Sequence, residues 1–272
     1  MEYITDSIQI ILNSQYAFSN NYPANSKMLF NINNMLNKDS STLYCQASIT
    51  SAQIPISYFI INSTNNYLAT SLGNFTLTLG NFDANSFQTL LLSLFPTGMI
   101  ITISDITGAY TLTYTTNFTI YSTSTCQYVM GLNNNTNYTS ISNILVFPYP
   151  CNFLGTTLIK IKSNTIQTKN MDSITSSQNN VLGTIPVNNA LGGLINYINY
   201  GQFKNIISNT SMDSVDIYIT DQNDNLLNFN GVNVVIILQL DCIRQISLIN
   251  TSLHSILSNT TEDPNLLHKF MK

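Results

Sequence analysis

Hydrophobic and polar residues alternate with a period of two along most of this chain. That is the pattern of strands that show one face to a core and the other to solvent. Ile8, Ile10 and Leu12 open the series, followed by Met28, Phe30 and Ile32, by Cys45, Ala47 and Ile49, and by Ile54, Ile56 and Tyr58. Pro55, inside the last of these runs, predicts an edge, a bulge or a break, because proline brings no N–H to a ladder. Ile159 and Ile161 lie between Lys160 and Lys162 as a half-buried strand. Val215, Ile217 and Ile219 form another, and Val234, Ile236, Leu238 and Leu240 the last.

The middle of the chain reads differently. Phe75, Leu77 and Leu79 alternate, but NSFQTLLLSLF (85–95) spaces Phe87, Leu90, Leu91 and Leu94 as a helix that Pro96 and Gly98 stop. A strand at MIITIS, a turn at Thr107-Gly108 and a strand through Tyr110, Leu112 and Tyr114 follow, and STCQYVMG (124–131) predicts a short helix ending on Gly131. This unit predicts an inserted α+β lobe at residues 72–132. The remaining strands, about eight, match the inventory of a single jelly-roll β-sandwich built from residues 1–71 and 133–242. Two independent small β domains are the alternative. After Asp241, Ile243, Ile246, Ile249, Leu253, Ile256 and Leu257 recur at helical spacing, predicting a helical C-terminal tail over 243–272. Such a helix either packs on its own sandwich or docks on a neighbouring subunit through Ile246, Ile249, Leu253 and Ile256.

Composition sharpens this picture at the surface. Only 8% of the 272 residues are charged, against about 25% in ordinary globular chains. Solubility therefore rests on amides and hydroxyls. Depletion of charge is also what the buried centre of a protein–protein interface shows. Codon bias toward A and T accounts for Asn, Ile and Tyr as well, although Lys, which the same bias favours, is scarce. The net charge of −4, with Arg244 the only arginine, excludes an electrostatic footprint for nucleic acid. No apolar stretch is long enough to span a membrane as a helix. Glu2 and Asp6, with no basic segment, argue against a secretory signal. The Asn-x-Ser/Thr triplets, as at Asn62 and Asn117, then read as chance in an Asn-rich chain. Cys45, Cys126, Cys151 and Cys242 stand far apart, which predicts free thiols and no zinc site.

Candidate chemistry is sparse. No phosphate-binding loop, nucleophile elbow or HExxH is present. His254 and His268 both fall near the end of the chain, and Glu2 and Glu262 near its two ends, so neither a catalytic constellation nor a cofactor is expected. One cluster remains, Asp221, Asn223, Asp224, Asn225, Asn228 and Asn230. An EF-hand begun at Asp221 puts Leu226 where Gly is needed and Val232 where a bidentate Glu is needed. Asp224-Asn225 and Asn230-Gly231 are turn dipeptides, with Leu227 and Phe229 free to tuck inward, so a connection between strands explains the letters better than a metal cage.

The stretch ITDQNDNLLNFNGVNVVIILQLD (219–241) resembles the C-terminal signature of single-jelly-roll minor capsid proteins of virophages, polinton-like viruses and related giant DNA viruses. Its carriers are Asp221, Asp224, Asn225, Phe229, Asn230 and Gly231. LNSQYAFSNNYP, SAQIPISYFIINSTNNYL, LGNFTLTLGNF, ISDITGAYTLTY, SNILVFPYPCNFLG and VLGTIPV resemble the family in the same order. The chain departs from the family's frequent Trp in the final strand, having Val234 and Val235 there. The resemblance implies a penton: a homopentamer at the five-fold vertices of an icosahedral capsid, beside the major capsid protein, in a virion assembled in host cytoplasm. Two other readings stay open. One is another minor capsid, cement or spike component. The other is a carbohydrate-binding attachment sandwich that meets a host-surface receptor or glycan through Tyr-rich loops such as Tyr197–Tyr200.

Overall fold

The period-two runs form antiparallel strands in a computed structural model, which describes residues 2–38, 40–168, 171–172, 177–178, 180–201, 203–209 and 211–246. The chain opens with β1 (Glu2–Asn13), β2 (Ser19–Asn20), β3 (Lys27–Asn37) and β4 (Thr42–Pro55). It continues through β5 (Tyr67–Thr70), β6 (Gly73–Thr76), helix α1 (Ala84–Leu94), β7 (Ile100–Ile103), β8 (Tyr110–Thr113), β9 (Thr119–Ile120), helix α2 (Gln127–Met130), β10 (Tyr138–Thr139) and β11 (Ile144–Val146). It then forms β12 (Leu158–Lys162), β13 (Met171–Asp172), β14 (Ser177–Gln178), β15 (Val181–Pro186), β16 (Leu194–Ile198), β17 (Asn205–Ile207), β18 (Ser211–Thr220) and β19 (Val235–Ile246).

Among the described residues, two five-stranded sheets and the small β13-β14 pair make up the first unit. One runs β1-β19-β4-β16, with β17 also on β4, and the other runs β15-β12-β18-β3-β2. Interleaving first with last and early with late strands in this way is the order of a jelly roll. The sheets pack face to face: Gly183 on β15 sits against Ile49 of β4, where a Cβ would come within 3.6 Å of the Ile49 side chain. Asn205 on β17 donates from Nδ2 to the Leu182 carbonyl of β15 at 3.0 Å. Inward residues of both sheets, among them Phe30, Ile54, Ile161, Ile217 and Leu238, are buried.

β4 shows how the alternation is written. Against β19, Ile237 faces Ser51 but Leu238 faces Ile49, so Thr50 is an extra residue. Such a bulge reverses the faces. Cys45, Ala47 and Ile49 are buried before it, Ala52 and Ile54 after it. Two out-of-phase runs are thus one strand of 14 residues. It ends at Pro55, and Ile56 and Tyr58 are buried in the second unit instead.

That second unit comprises residues 56–158 and 186–193, a wider span than the 72–132 the pattern predicts. Aromatic packing is the reason. Phe87 of α1 meets Phe153 at 5.2 Å between ring centroids, and Tyr110 of β8 meets Phe147 edge-on at 6.0 Å. Both partners lie beyond residue 132, so the core closes only when they are included. Helix α1 starts with a capping box in which Asp83 accepts from the Ser86 N–H and the Ser86 hydroxyl accepts from the Asp83 N–H. Helix α2 ends on Gly131 at φ +86°, in the left-handed region.

The predicted helical tail does not begin at Ile243. Ile243, Arg244, Gln245 and Ile246 continue β19 opposite Thr5, Ile4, Tyr3 and Glu2 of β1, and a ladder on a long neighbour outcompetes local helical spacing. Ile246 is therefore a strand residue, while Ile249, Leu253 and Ile256 lie outside the described residues.

Gly131 gives a direct test of the second unit. A Cβ there would come within 2.7 Å of the Pro150 carbonyl oxygen, on top of the unfavourable φ. Gly131→Ala is expected to destabilise this unit by about 3 kcal/mol. Urea unfolding followed by hydrogen exchange at the buried α1 amides measures it.

Candidate functional site

The segment joining β18 to β19 is built from two turns. In the first, the Asp221 carboxylate accepts from the N–H groups of Asn223 and Asn225, both at 2.8 Å, and from Asn225 Nδ2 at 3.1 Å. Asp224 adopts φ +67°, which Asp and Asn tolerate best among non-glycine residues. Leu227 then returns along β18, its N–H donating to the Ile219 carbonyl at 3.1 Å. In the second turn, Asn230 and Gly231 have φ +51° and +82°, and the Val232 N–H closes on the Phe229 carbonyl at 3.0 Å. Both positive angles are what a type I′ turn requires. Asp221 thus spends its oxygens on N–H donors. Asp224 Oδ1 takes Lys162 Nζ at 2.9 Å and Lys160 Nζ at 3.2 Å, which staples the turn to β12. Among the described residues, no three His, Cys, Asp or Glu side chains converge as a metal site.

The loop between β1 and β3 fastens this segment from the other side. The Phe229 N–H donates to the Ala24 carbonyl at 2.8 Å, and the Gly231 N–H to the Pro23 carbonyl at 2.7 Å. Asn25, nearly fully buried at φ +54°, donates from Nδ2 to the Val232 carbonyl at 3.0 Å and accepts from Asn20 Nδ2 at 2.8 Å. The Val234 N–H donates to the Ser14 hydroxyl at 3.0 Å. Phe229 is fully buried beneath these bonds. Segments 12–23 and 219–241, read separately as family-like stretches, therefore form one end of the sandwich. Tyr16, Phe18 and Tyr22 of the same loop are each about three-quarters exposed.

A second surface follows from the registers of β19. Alternation turns Ile10, Leu12, Ile236 and Leu238 inward, so their neighbours form the outer face of the sheet. Ile11, Ile237, Ser51 and Ile198 lie in one row across β1, β19, β4 and β16. Ser7, Asp241, Gln46 and Ile206 lie in another, across β1, β19, β4 and β17. Ile11, Ile198 and Ile206 are exposed by 70%, 57% and 55%. The polar groups here bond to one another: Gln9 Nε2 donates to Gln239 Oε1 at 3.2 Å, Gln239 Nε2 to Asp241 Oδ1 at 2.7 Å, and Ser7 Oγ to the same oxygen at 2.6 Å. Lys204 Nζ lies 2.8 Å from Asp241 Oδ2. Burial raises the Asp241 pKa, but the bonds from Lys204, Ser7 and Gln239 more than offset it, so the carboxyl is held below its ordinary value. On the opposite sheet Lys160, itself buried, and Lys162 pair with Asp224, and Lys27 lies over the Tyr218 ring at 5.6 Å.

Two solved virophage chains are similar to this one. The crystal structure of the mavirus penton protein aligns over 89% of this chain and 100% of that chain, at 12% identity and a TM-score of 0.43. A chain of the cryo-EM structure of the Sputnik virophage aligns over 88% and 98%, at 14% identity and a TM-score of 0.42. No protein-family model and no curated protein matches. The jelly-roll assignment rests on strand order and register.

Other sequence candidates are not brought together. Tyr197 of β16 pairs with Ala52 of β4 and is half-buried, whereas Tyr200, beyond the end of β16, is exposed. Sequence reasoning missed the outer-face row, because Ile11 and Ile237 interrupt an alternation already assigned to the core. Counting the apolar residues on the unassigned parity would have found it.

Two outcomes test these assignments. Asp224→Asn keeps the left-handed turn but loses the charge, and is expected to cost about 2 kcal/mol. Asp224→Ala is expected to cost roughly 1 kcal/mol more through φ; both are read by urea unfolding. The Asp241 carboxyl has its pKa depressed in the folded state, so its contribution is present above the ordinary value of 3.8 and is lost as pH falls through the lower folded value. Asp241→Asn is expected to flatten the acid limb of stability below pH about 4, measured as melting temperature against pH.

Proposed function

We propose that the chain is a structural virion protein: a penton subunit whose ring of five occupies the vertices of an icosahedral capsid. The observation that carries this reading is the outer face of the β1-β19-β4-β16 sheet. Four of its polar side chains, Gln9, Ser7, Gln239 and Asp241, already bond to one another, which lowers the cost of covering them, and Ile11, Ile198 and Ile206 supply the apolar contact. A ring of five uses two different surfaces of each subunit and closes. Each contact would bury about 800 Å² a side. The jelly-roll strand order and the joined family-like segments 12–23 and 219–241 support the same reading.

On this proposal the aromatic end at Tyr16, Phe18 and Tyr22 is a second contact surface, suited to the major capsid protein as neighbour. The chain beyond Ile246, with Ile249, Leu253 and Ile256, serves as an arm toward another subunit. Assembly takes place in the host cytoplasm and the finished location is the capsid. Catalysis has no part in it.

Light scattering on the full chain across concentration tests the ring. The expected result is a closed species of five subunits, and Ile11→Lys combined with Ile198→Lys is expected to shift its midpoint at least about tenfold toward monomer, since burying two unpaired ammonium groups costs more than 1.4 kcal/mol. Circular dichroism should stay unchanged. A double variant that assembles like the parent would place the contact elsewhere.

A further inference from the structure

Cys45 on β4 and Cys242 on β19 stand directly opposite one another in the antiparallel ladder. Asp6 of β1 flanks Cys242 and Ile207 of β17 flanks Cys45, so the two cysteines occupy the middle of a row across four strands. Both are free thiols, and Cys45 is wholly buried while Cys242 is 8% exposed. Opposed residues in an antiparallel pair have Cα atoms roughly 4.5–5.5 Å apart, within the span of about 4.4–6.8 Å that a disulfide bridges. The other two cysteines are engaged differently. Cys126 Sγ contacts Met130 Sδ at 3.5 Å, and Cys151 Sγ contacts the Gly108 carbonyl oxygen at 3.6 Å.

We propose that Cys45 and Cys242 are a redox pair, reduced when the chain folds and closed into a cross-strand disulfide by a small peroxide oxidant. This stands whether or not the chain is a capsid subunit. The order of steps follows from the environment. Burial first, and then the adjacent Cys242 thiol, push Cys45 up to about 12, so it stays protonated. Cys242, the less deeply buried of the two, meets the oxidant. Its sulfur attacks hydrogen peroxide, an S–O bond forms as the O–O bond breaks, and the departing hydroxide leaves as water with the Cys242 proton. The Cys45 sulfur then attacks the sulfenic sulfur. The S–S bond forms, the S–O bond breaks, and the Cys45 proton leaves with the hydroxyl as water. Two thiols lose two electrons in all, and one peroxide becomes two waters.

The consequence is a staple between β4 and β19, the two central strands of the sheet. It closes a loop that spans the whole second unit and most of the first, the arrangement in which a cross-link most restricts the unfolded chain.

The test uses the full wild-type chain, treated with hydrogen peroxide, denatured, alkylated and digested without reductant. Mass spectrometry is expected to find the Cys45 and Cys242 peptides joined and lighter by two hydrogens, with Cys126 and Cys151 alkylated. The melting temperature of the jelly-roll unit should rise by on the order of 10 °C. The rise should vanish with dithiothreitol and be absent in Cys45→Ser. Four alkylated thiols, a Cys242 sulfinic acid with no cross-link, or a cross-link that leaves or lowers the melting temperature would each overturn the proposal.

Discussion

The fold depends on β19, the last described strand, being paired along both of its edges. β19 meets β1 from Val235 opposite Asn13 to Ile246 opposite Glu2, and β4 from Gln53 to Thr42. Closing such ladders brings together residues from 182 (Gln53 and Val235) to 244 (Glu2 and Ile246) positions apart, and that loop-closure entropy is recovered only when the inner face is covered. Ile236, Leu238 and Leu240 supply that cover on β19, against Ile10 and Leu12 on β1 and Ile49, Ala52 and Ile54 on β4. The end of the sandwich is closed by the same logic. The turns after β18 are held by backbone bonds to Pro23 and Ala24, so the final strand enters the sheet in a single register.

Much of this was legible in the sequence, because period-two alternation is a direct consequence of strand geometry. The buried sets at Met28–Ile32 and Val215–Ile219 follow it residue by residue, whereas on β12 Lys160, between Ile159 and Ile161, is buried as well and pairs with Asp224. The Thr50 bulge was visible only as a phase slip between two runs. Helix α1 was legible because Phe87 and Leu91 share one face and Pro96 stands behind them. Lobe boundaries were not, since Phe147 and Phe153 reach Tyr110 and Phe87 through tertiary contacts that no local pattern encodes. At the C-terminal end, helical spacing from Ile243 gave way to the strand because β1 extends to Glu2 and offers it a partner.

The candidate surface illustrates the same division. Turn letters at Asp221–Gly231 announced themselves as Asp, Asn and Gly at positions needing positive φ. Their docking on Tyr22–Asn25 is a long-range fact. The outer face of the β19 sheet was hidden further, because its significance lies in what its polar groups already hold. Gln9, Gln239, Ser7 and Asp241 form one hydrogen-bonded chain, with Lys204 neutralising the Asp241 charge. Low charge across the whole chain thus has a local expression: a sheet face with little to lose on leaving water.

A capsid subunit should be found where five copies can surround an axis. The most direct measurement is a symmetric cryo-EM reconstruction of native particles containing this chain, at a resolution that traces strands. Five jelly rolls are expected around each five-fold vertex, with the Ile11–Ile198 row of each against its neighbour. Density for this chain away from every vertex, or that row facing solvent in the ring, would contradict this arrangement.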